Sequence, residues 1–205
     1  MLRIAPRLVL ATSNAGKLRE MREILQPWHV EVRPIGDFTS ESAEETGLSF
    51  VENAIIKARF AAAASGLAAI ADDSGLEVDA LNGAPGIYSA RYAGEGASDS
   101  ANNRRLLKEL EDVADADRTA RYRCAIAYMR WPHDAAPVVC QASWEGAISK
   151  TPEGSGGFGY DPLFRPDGMN CSAAQLSPDE KNAISHRARA LRALLTQLEP
   201  SAGPR

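Results

Sequence analysis

Four stretches of this chain combine residue types and spacings that could do chemistry. Asp72 and Asp73 are adjacent carboxylates, and Glu44 and Glu45 form a second acidic pair upstream. Such oxygen donors suit a hard divalent cation that completes its shell with water and substrate phosphates. Acidic pairs are equally at home on solvated loops. The run Thr12, Ser13, Asn14, Ala15, Gly16, Lys17 places small polar residues, a glycine and a lysine where a strand gives way to a helix. Free N–H groups and the helix dipole favour an anion at such a point, and the same residues also suit an ordinary turn with a solvated lysine. It is not a Walker A loop, because Ala11 stands in place of the first glycine and Leu18 in place of the magnesium-binding hydroxyl.

Gly154 to Gly159 formally satisfies GxGxxG, but Pro152 precedes it and Tyr160-Asp161-Pro162 follows. A dinucleotide fingerprint needs a strand before it and a helix opening inside it, so a close-approach loop with Phe158 able to stack on a base fits better. The last stretch is Lys181 with His186 and Arg187. These groups could hold phosphate or purine oxygens, or form a solvated basic face. In one unbroken helix Lys181 and His186 would point about 140° apart, a conflict that a break or a helix start near Asn182 relieves.

The elements that must position these residues follow from pattern. Leu8 to Leu10 reads as a buried strand, and Leu18, Met21 and Leu25 as the helix after it. Ser49 with Glu52 is a capping-box signature, and Val51, Ala54, Ile55, Ala58 and Ala62 carry that helix onward. Residues 67–71 read as a strand ending at Asp72-Asp73-Ser74-Gly75, with turns at Asn82-Gly83 and Pro85-Gly86. Leu106, Leu107, Leu110 and Val113 predict a further helix, and alternation over residues 119–149 predicts a long antiparallel hairpin. Ser177 and Glu180 bracket Pro178 as a second capping box, and Ile184, Ala188, Leu191, Leu195 and Leu198 extend a helix that closes the chain. Strands alternating with helices early and a hairpin late predict an α/β fold with a mixed sheet.

Composition sets the class. The 205 residues suffice for one compact unit, or two lobes sharing a sheet, with residues 200–205 a frayed tail. A net charge of −4 argues against wrapping nucleic acid non-specifically, a task that needs a basic surface. Cys124, Cys140 and Cys171 are too irregularly spaced for a zinc motif or a disulfide framework and read as buried thiols. The apolar run after Arg3 and Arg7 is too short for a signal peptide, and residues 60–71 are too short and too alanine-rich to span a bilayer, so the chain reads as unexported and free of membrane segments.

Taken in order, residues 8–17, SAEETGLSFVENAIIKA (42–58), AIADDSGLEVDALNGAPGIYSARYAG (69–94), GSGGFGYDPLF (154–164) and EKNAISHRARAL (180–191) resemble the inosine/xanthosine triphosphate pyrophosphatase family. The resemblance implies a single domain with an elongated mixed β-sheet and flanking helices, forming two lobes around a nucleotide cleft. It also implies a cytoplasmic homodimer that hydrolyses dITP, ITP and XTP to monophosphate and pyrophosphate with one Mg²⁺ per subunit. Residue by residue, it assigns Thr12 to Lys17 to the phosphates, Glu44 and Asp73 to the metal, and Asp73 also to activation of water. Ser74 contacts substrate, Phe158, Gly159, Tyr160 and Asp161 line the base pocket, and Lys181, His186 and Arg187 complete it. The string does not decide between Glu44 and Glu45, and Ser13 stands where many relatives have glycine. The rival readings are a pyrophosphatase for modified pyrimidine or ordinary nucleotides, and a regulatory module that binds a triphosphate without cleaving it; a metal-free phosphate binder would gain nothing from paired carboxylates.

Overall fold

The computed structural model describes residues 2–199; the tail expected at 200–205 lies outside them. In chain order the elements are β1 (Leu2–Arg3), β2 (Arg7–Leu10), α1 (Ala15–Leu25), β3 (Glu31–Pro34), α2 (Phe50–Ser65), β4 (Ala68–Val78), α3 (Asp99–Glu109), β5 (Thr119–Met129), β6 (Val138–Ile148), β7 (Phe164–Pro166), α4 (Pro178–Ile184), α5 (His186–Thr196) and β8 (Leu198–Glu199), with short 3₁₀ turns between them. The main sheet has the order β3-β2-β4-β5-β6-β7, and β1 pairs with β8 in a separate ribbon. Strand β2 is parallel to both β3 and β4, whereas β7 runs antiparallel to β6. The connection of residues 130–137 reaches at most about 28 Å. It cannot return the chain along an 11-residue strand of about 36 Å, so β5 and β6 form the expected antiparallel hairpin. The fold is mixed α/β.

The chain divides into two compact units. Among the described residues the first holds 2–73, Cys124–Ala142 and 187–199; the second holds Ser74–Arg123 and Ser143–His186. In the first unit the sheet is covered on both faces, and the period-2 alternation of the strands sorts residues between two cores. Leu8, Leu10, Ala68, Ile70, Ile126 and Tyr128 pack with Met21 and Leu25 of α1 and Leu191 and Leu194 of α5. Val9, Ala69, Ala71, Ala125 and Ala127 pack instead with Ala54, Ala58, Ala61 and Ala62 of α2. Alanine on both sides of that second contact lets the helix lie close to the sheet. The second unit is built on one cluster that includes Leu76, Leu106, Tyr122, Trp144, Tyr160 and Phe164.

Five expectations are corrected. Strand β4 does not end at Asp72 but runs on through Asp73, Ser74 and Gly75 to Val78, because cations from other elements neutralise the carboxylates that would otherwise break it. Helix α3 stops at Glu109, and Val113 packs against the core from a turn closed by its N–H bond to Leu110. The last helical segment is two helices, separated at Ser185, which adopts an extended φ of −66° and ψ of 157°. The chain from Leu198 is a strand paired with Leu2, not helix. At α2, Ser49 caps Glu52 as expected, but the Glu52 carboxylate accepts from the Leu48 N–H and the Ser49 hydroxyl, so the capping box is only half formed. The second box, Ser177 with Glu180 at α4, is complete.

Candidate active site

In the first unit, the alternation along β4 decides where the acidic pair points. Ala68 and Ile70 face α1 and α5, so Asp72 does too; Ala69 and Ala71 face α2, so Asp73 does too. The side-chain partners follow this division. Asp72 is 2% exposed and meets Lys17 Nζ of α1 at 3.0 Å and Arg187 Nε of α5 at 3.1 Å. The far side of the Arg187 guanidinium is held by Glu20 of α1. Burial would raise the Asp72 carboxyl, but Lys17 first, then Arg187, hold it far below the usual carboxylate range. Arg187, itself buried, is kept charged chiefly by Asp72 and Glu20. Adjacent in sequence, the two aspartates are in contact with different cations, although Lys17 and Lys57 each act on both carboxylates through space.

Asp73 belongs to a different group. Its Oδ1 lies 2.5 Å from Lys57 Nζ, its Oδ2 accepts from Asn53 Nδ2 at 3.4 Å, and both partners are on α2. Glu45 meets the same Lys57 ammonium at 3.0 Å. Of the upstream acidic pair it is thus Glu45 that reaches this cluster, while Glu44 is exposed. The fully buried Asn53 also accepts the Gly47 N–H at 2.9 Å, tying the acidic loop to the helix. Gly47 is required there, since a Cβ would sit 2.6 Å from Glu52 Cβ. Burial pushes the Asp73 carboxyl above its ordinary value despite Lys57, and Lys57 is raised in turn, because burial, which lowers it, is outweighed by Asp73, Asp72 and Glu45 together. Asp73 is thereby a stronger proton acceptor than an ordinary solvated carboxylate.

The loop before α1 is ordered by its own side chains. Asn14 caps the helix by accepting the Lys17 N–H at 3.0 Å, and Thr12 Oγ1 accepts from the Asn14 N–H at 3.1 Å. The side-chain oxygens of Thr12 and Asn14 are thus occupied in shaping the turn, and Ser13, Asn14 and Ala15 lie exposed at the helix start.

In the second unit, Asp161 organises the glycine-rich loop. Its Oδ2 accepts the Phe158 N–H at 2.9 Å and Lys181 Nζ at 2.6 Å, and its Oδ1 accepts the Tyr122 hydroxyl at 3.2 Å. Gly157, at φ +71°, must be glycine, because a Cβ would lie 2.0 Å from the Asp161 carboxylate. The Lys181 ammonium stands 4.6 Å from the centre of the Phe158 ring. Helix α3 takes both backbone groups of Gly159, its N–H by Asp99 and its C=O by Asn103. Tyr160 is turned inward, its hydroxyl donating to the Ser89 carbonyl at 2.8 Å. His186 stacks on Tyr122 with ring centroids 4.6 Å apart, and Ser74 lies partly buried in β4. The break at Ser185 resolves the angular conflict between Lys181 and His186, at a position three residues later than Asn182.

Sequence reasoning missed Lys57, Asn53, Glu20 and Tyr122. Each occupied a helix or strand position whose pattern was read only for its apolar neighbours; a lysine and an asparagine four residues apart on an alanine-rich, core-facing helix were the available signal. Among the described residues no group of three or more His, Cys, Asp or Glu side chains is assembled as a metal site. A thiol nucleophile is also excluded at Cys124, which burial pushes up to about 12.

Comparison with known proteins places this geometry in context. The family model described as the Ham1 family matches residues 8–197. A dITP/XTP pyrophosphatase of Thioalkalivibrio sulfidiphilus is 57% identical over 193 residues, 94% of this chain and 98% of that protein. The dITP/XTP pyrophosphatase of Escherichia coli K12 is 52% identical over 192 residues, 94% of this chain and 98% of its own. A solved HAM1 protein from Coxiella burnetii superposes with a TM-score of 0.86 at 49% identity, covering 96% of this chain and 98% of that one.

Proposed function

The chain belongs to the Ham1 family, and on that premise we propose that it hydrolyses the non-standard purine nucleoside triphosphates dITP, ITP and XTP to nucleoside monophosphate and pyrophosphate, keeping deaminated purines out of DNA and RNA. The observation that carries the reading is Asp73: a buried carboxylate whose proton affinity burial raises above the ordinary value, held by Lys57 and Asn53, in a chain alike over nearly its whole length to enzymes of that activity.

Water attacks the α-phosphorus. Its oxygen forms the new bond, its proton passes to Asp73, the α–β anhydride bond breaks and pyrophosphate leaves. Thr12, Ser13, Asn14, Ala15 and Gly16 receive the phosphates at the start of α1, and Lys17 offsets their charge. Ser74 contacts the substrate. Phe158 stacks on the base, while Gly159, Tyr160 and Asp161 shape the pocket around it. Lys181, His186 and Arg187 complete recognition: a donor satisfied by a 6-oxo group is left unpaired by a 6-amino group, which disfavours ATP.

A divalent ion fits the donor set, because Asp73 and Glu45 already share one ammonium and offer hard oxygen donors. Asp73 and a carboxylate of the Glu44–Glu45 pair would hold Mg²⁺, which when bound supplies positive charge against the phosphates. We further assign the enzyme to the cytoplasm as a homodimer. Among the described residues no helix is long and apolar enough to cross a membrane, and sedimentation in solution tests the dimer.

The deciding experiment is pyrophosphate release from dITP, XTP, dATP and dGTP with Mg²⁺ and with chelator. Fast, magnesium-dependent release from dITP and XTP alone is the expected result. Release from the ordinary nucleotides at equal rates overturns the substrate assignment, and release from none overturns the reaction.

A further inference from the structure

Tyr122 lies on β5 within the second unit's core, 7% exposed, where a phenylalanine would fill the same space. Its two contacts go beyond filling. One face of its ring is stacked on the His186 imidazole, with centroids 4.6 Å apart and planes within 6° of parallel. Its hydroxyl donates to Asp161, the carboxylate that also takes the Phe158 N–H and the Lys181 ammonium. Trp144 lies 6.4 Å from both Tyr122 and His186, and Phe164 meets the Tyr122 edge at 4.8 Å, so the phenol cannot swing away without displacing the core. The glycine-rich loop is not regular structure, and His186 is the first residue of α5, directly after the extended break at Ser185.

We propose that Tyr122 is a positioning residue for base recognition, a single rigid ring that sets the plane of His186 and, through Asp161, the place of Phe158 and Lys181. The inference rests on the reading that these residues receive the purine. Its physical content is preorganisation: a side chain already held in its binding orientation loses less freedom when ligand arrives. Tyr122 touches neither the phosphates nor Asp73 in this account, so its loss acts on binding and selectivity and not on the bond-breaking step.

The test compares Tyr122→Phe, which keeps the stack and loses the hydroxyl bond, with Tyr122→Leu, which loses both. Tyr122→Met serves as a second aliphatic variant if the leucine protein does not fold. Steady-state kinetics on dITP and dGTP are read beside proton NMR of the imidazoles. The chain has three histidines, and His29 and His133 are exposed, so the resonances shifted by neighbouring rings belong to His186. For Tyr122→Phe the His186 resonances stay shifted and KM for dITP rises about threefold. For the aliphatic variants they move toward exposed values, KM rises about tenfold with kcat nearly unchanged, and the preference for dITP over dGTP falls about tenfold. A folded aliphatic variant with wild-type KM and preference overturns the proposal. His186→Ala and Lys181→Ala separate the two levels: if they alter dITP binding while Tyr122 variants do not, only the role of Tyr122 falls; if they too alter nothing, the base-site reading falls with it.

Discussion

Lys57 approaches Asp73 to 2.5 Å from the neighbouring helix and at the same time reaches Glu45 at 3.0 Å, so one ammonium serves two carboxylates from different segments of the chain. It is the nearest cation to Asp73, and it keeps the carboxyl from rising as far as burial alone would drive it.

Replacing Lys57 with Met removes that charge and leaves the stem. The Asp73 carboxyl then protonates at higher pH, and since in the proposed reaction the ionised form accepts the proton from water, activity is lost first on the acid side. At a fixed Mg²⁺ concentration the acidic limb of the kcat/KM profile should move upward, and activity near pH 6 should fall by more than activity near pH 9. An unmoved acidic limb would place the rate-controlling ionisation elsewhere.

Asp73→Asn preserves shape and removes the proposed base. Turnover of dITP should fall by about 10²- to 10⁴-fold, while equilibrium binding of a non-hydrolysable triphosphate analogue persists. A folded Asp73→Asn protein with wild-type turnover would sink the assignment.

How much of this centre was legible in the sequence depends on how far each residue acts from its neighbours. The loop before α1, the cap at Ser49 and the box at Ser177 are local, and their residues are where pattern put them. The course of β4 was not. Asp72-Asp73-Ser74-Gly75 has the composition of a turn, and only Lys17, Lys57 and Arg187, all distant in sequence, make it tolerable inside a sheet. The break at Ser185 was readable in principle: serine is a favoured helix cap, but the apolar spacing from Ile184 to Leu198 ran on across it.

Asp72→Asn tests the other half of the acidic pair. It leaves the buried Arg187 with Glu20 alone among these carboxylates, and losing one partner of such a buried set costs about 3–5 kcal/mol. Because the folded-state pKa of Asp72 is depressed, its stabilisation is full above the ordinary value of 3.8 and is lost as pH falls toward the lower folded value. Melting temperatures of the two proteins should therefore differ by a constant amount near neutrality and converge below about pH 4. A gap that widens in acid would contradict the ion-pair account.

Two glycines of the same loop offer a paired comparison. Alanine at Gly157 would bring a Cβ within 2.0 Å of the Asp161 carboxylate at φ +71°, whereas at Gly159, φ +63°, a Cβ meets nothing within 4 Å. Gly159→Ala should carry only backbone strain of about 1–2 kcal/mol. Gly157→Ala should in addition raise KM for dITP about tenfold or more, by dislodging the carboxylate that holds Phe158 and Lys181. Equal KM values for the two would show that Asp161 does not set the pocket.

The alternation of β4 makes residue parity a functional assignment. In the proposed reaction Asp72 is structural and Asp73 the base because one occupies an even and the other an odd place along the same pleated strand. Moving the strand by a single residue would exchange their surroundings without altering their chemistry. A one-residue insertion or deletion just before Ala68 should thus abolish activity, even with every side chain of the site still present; a compensating change of opposite sign just upstream should restore it.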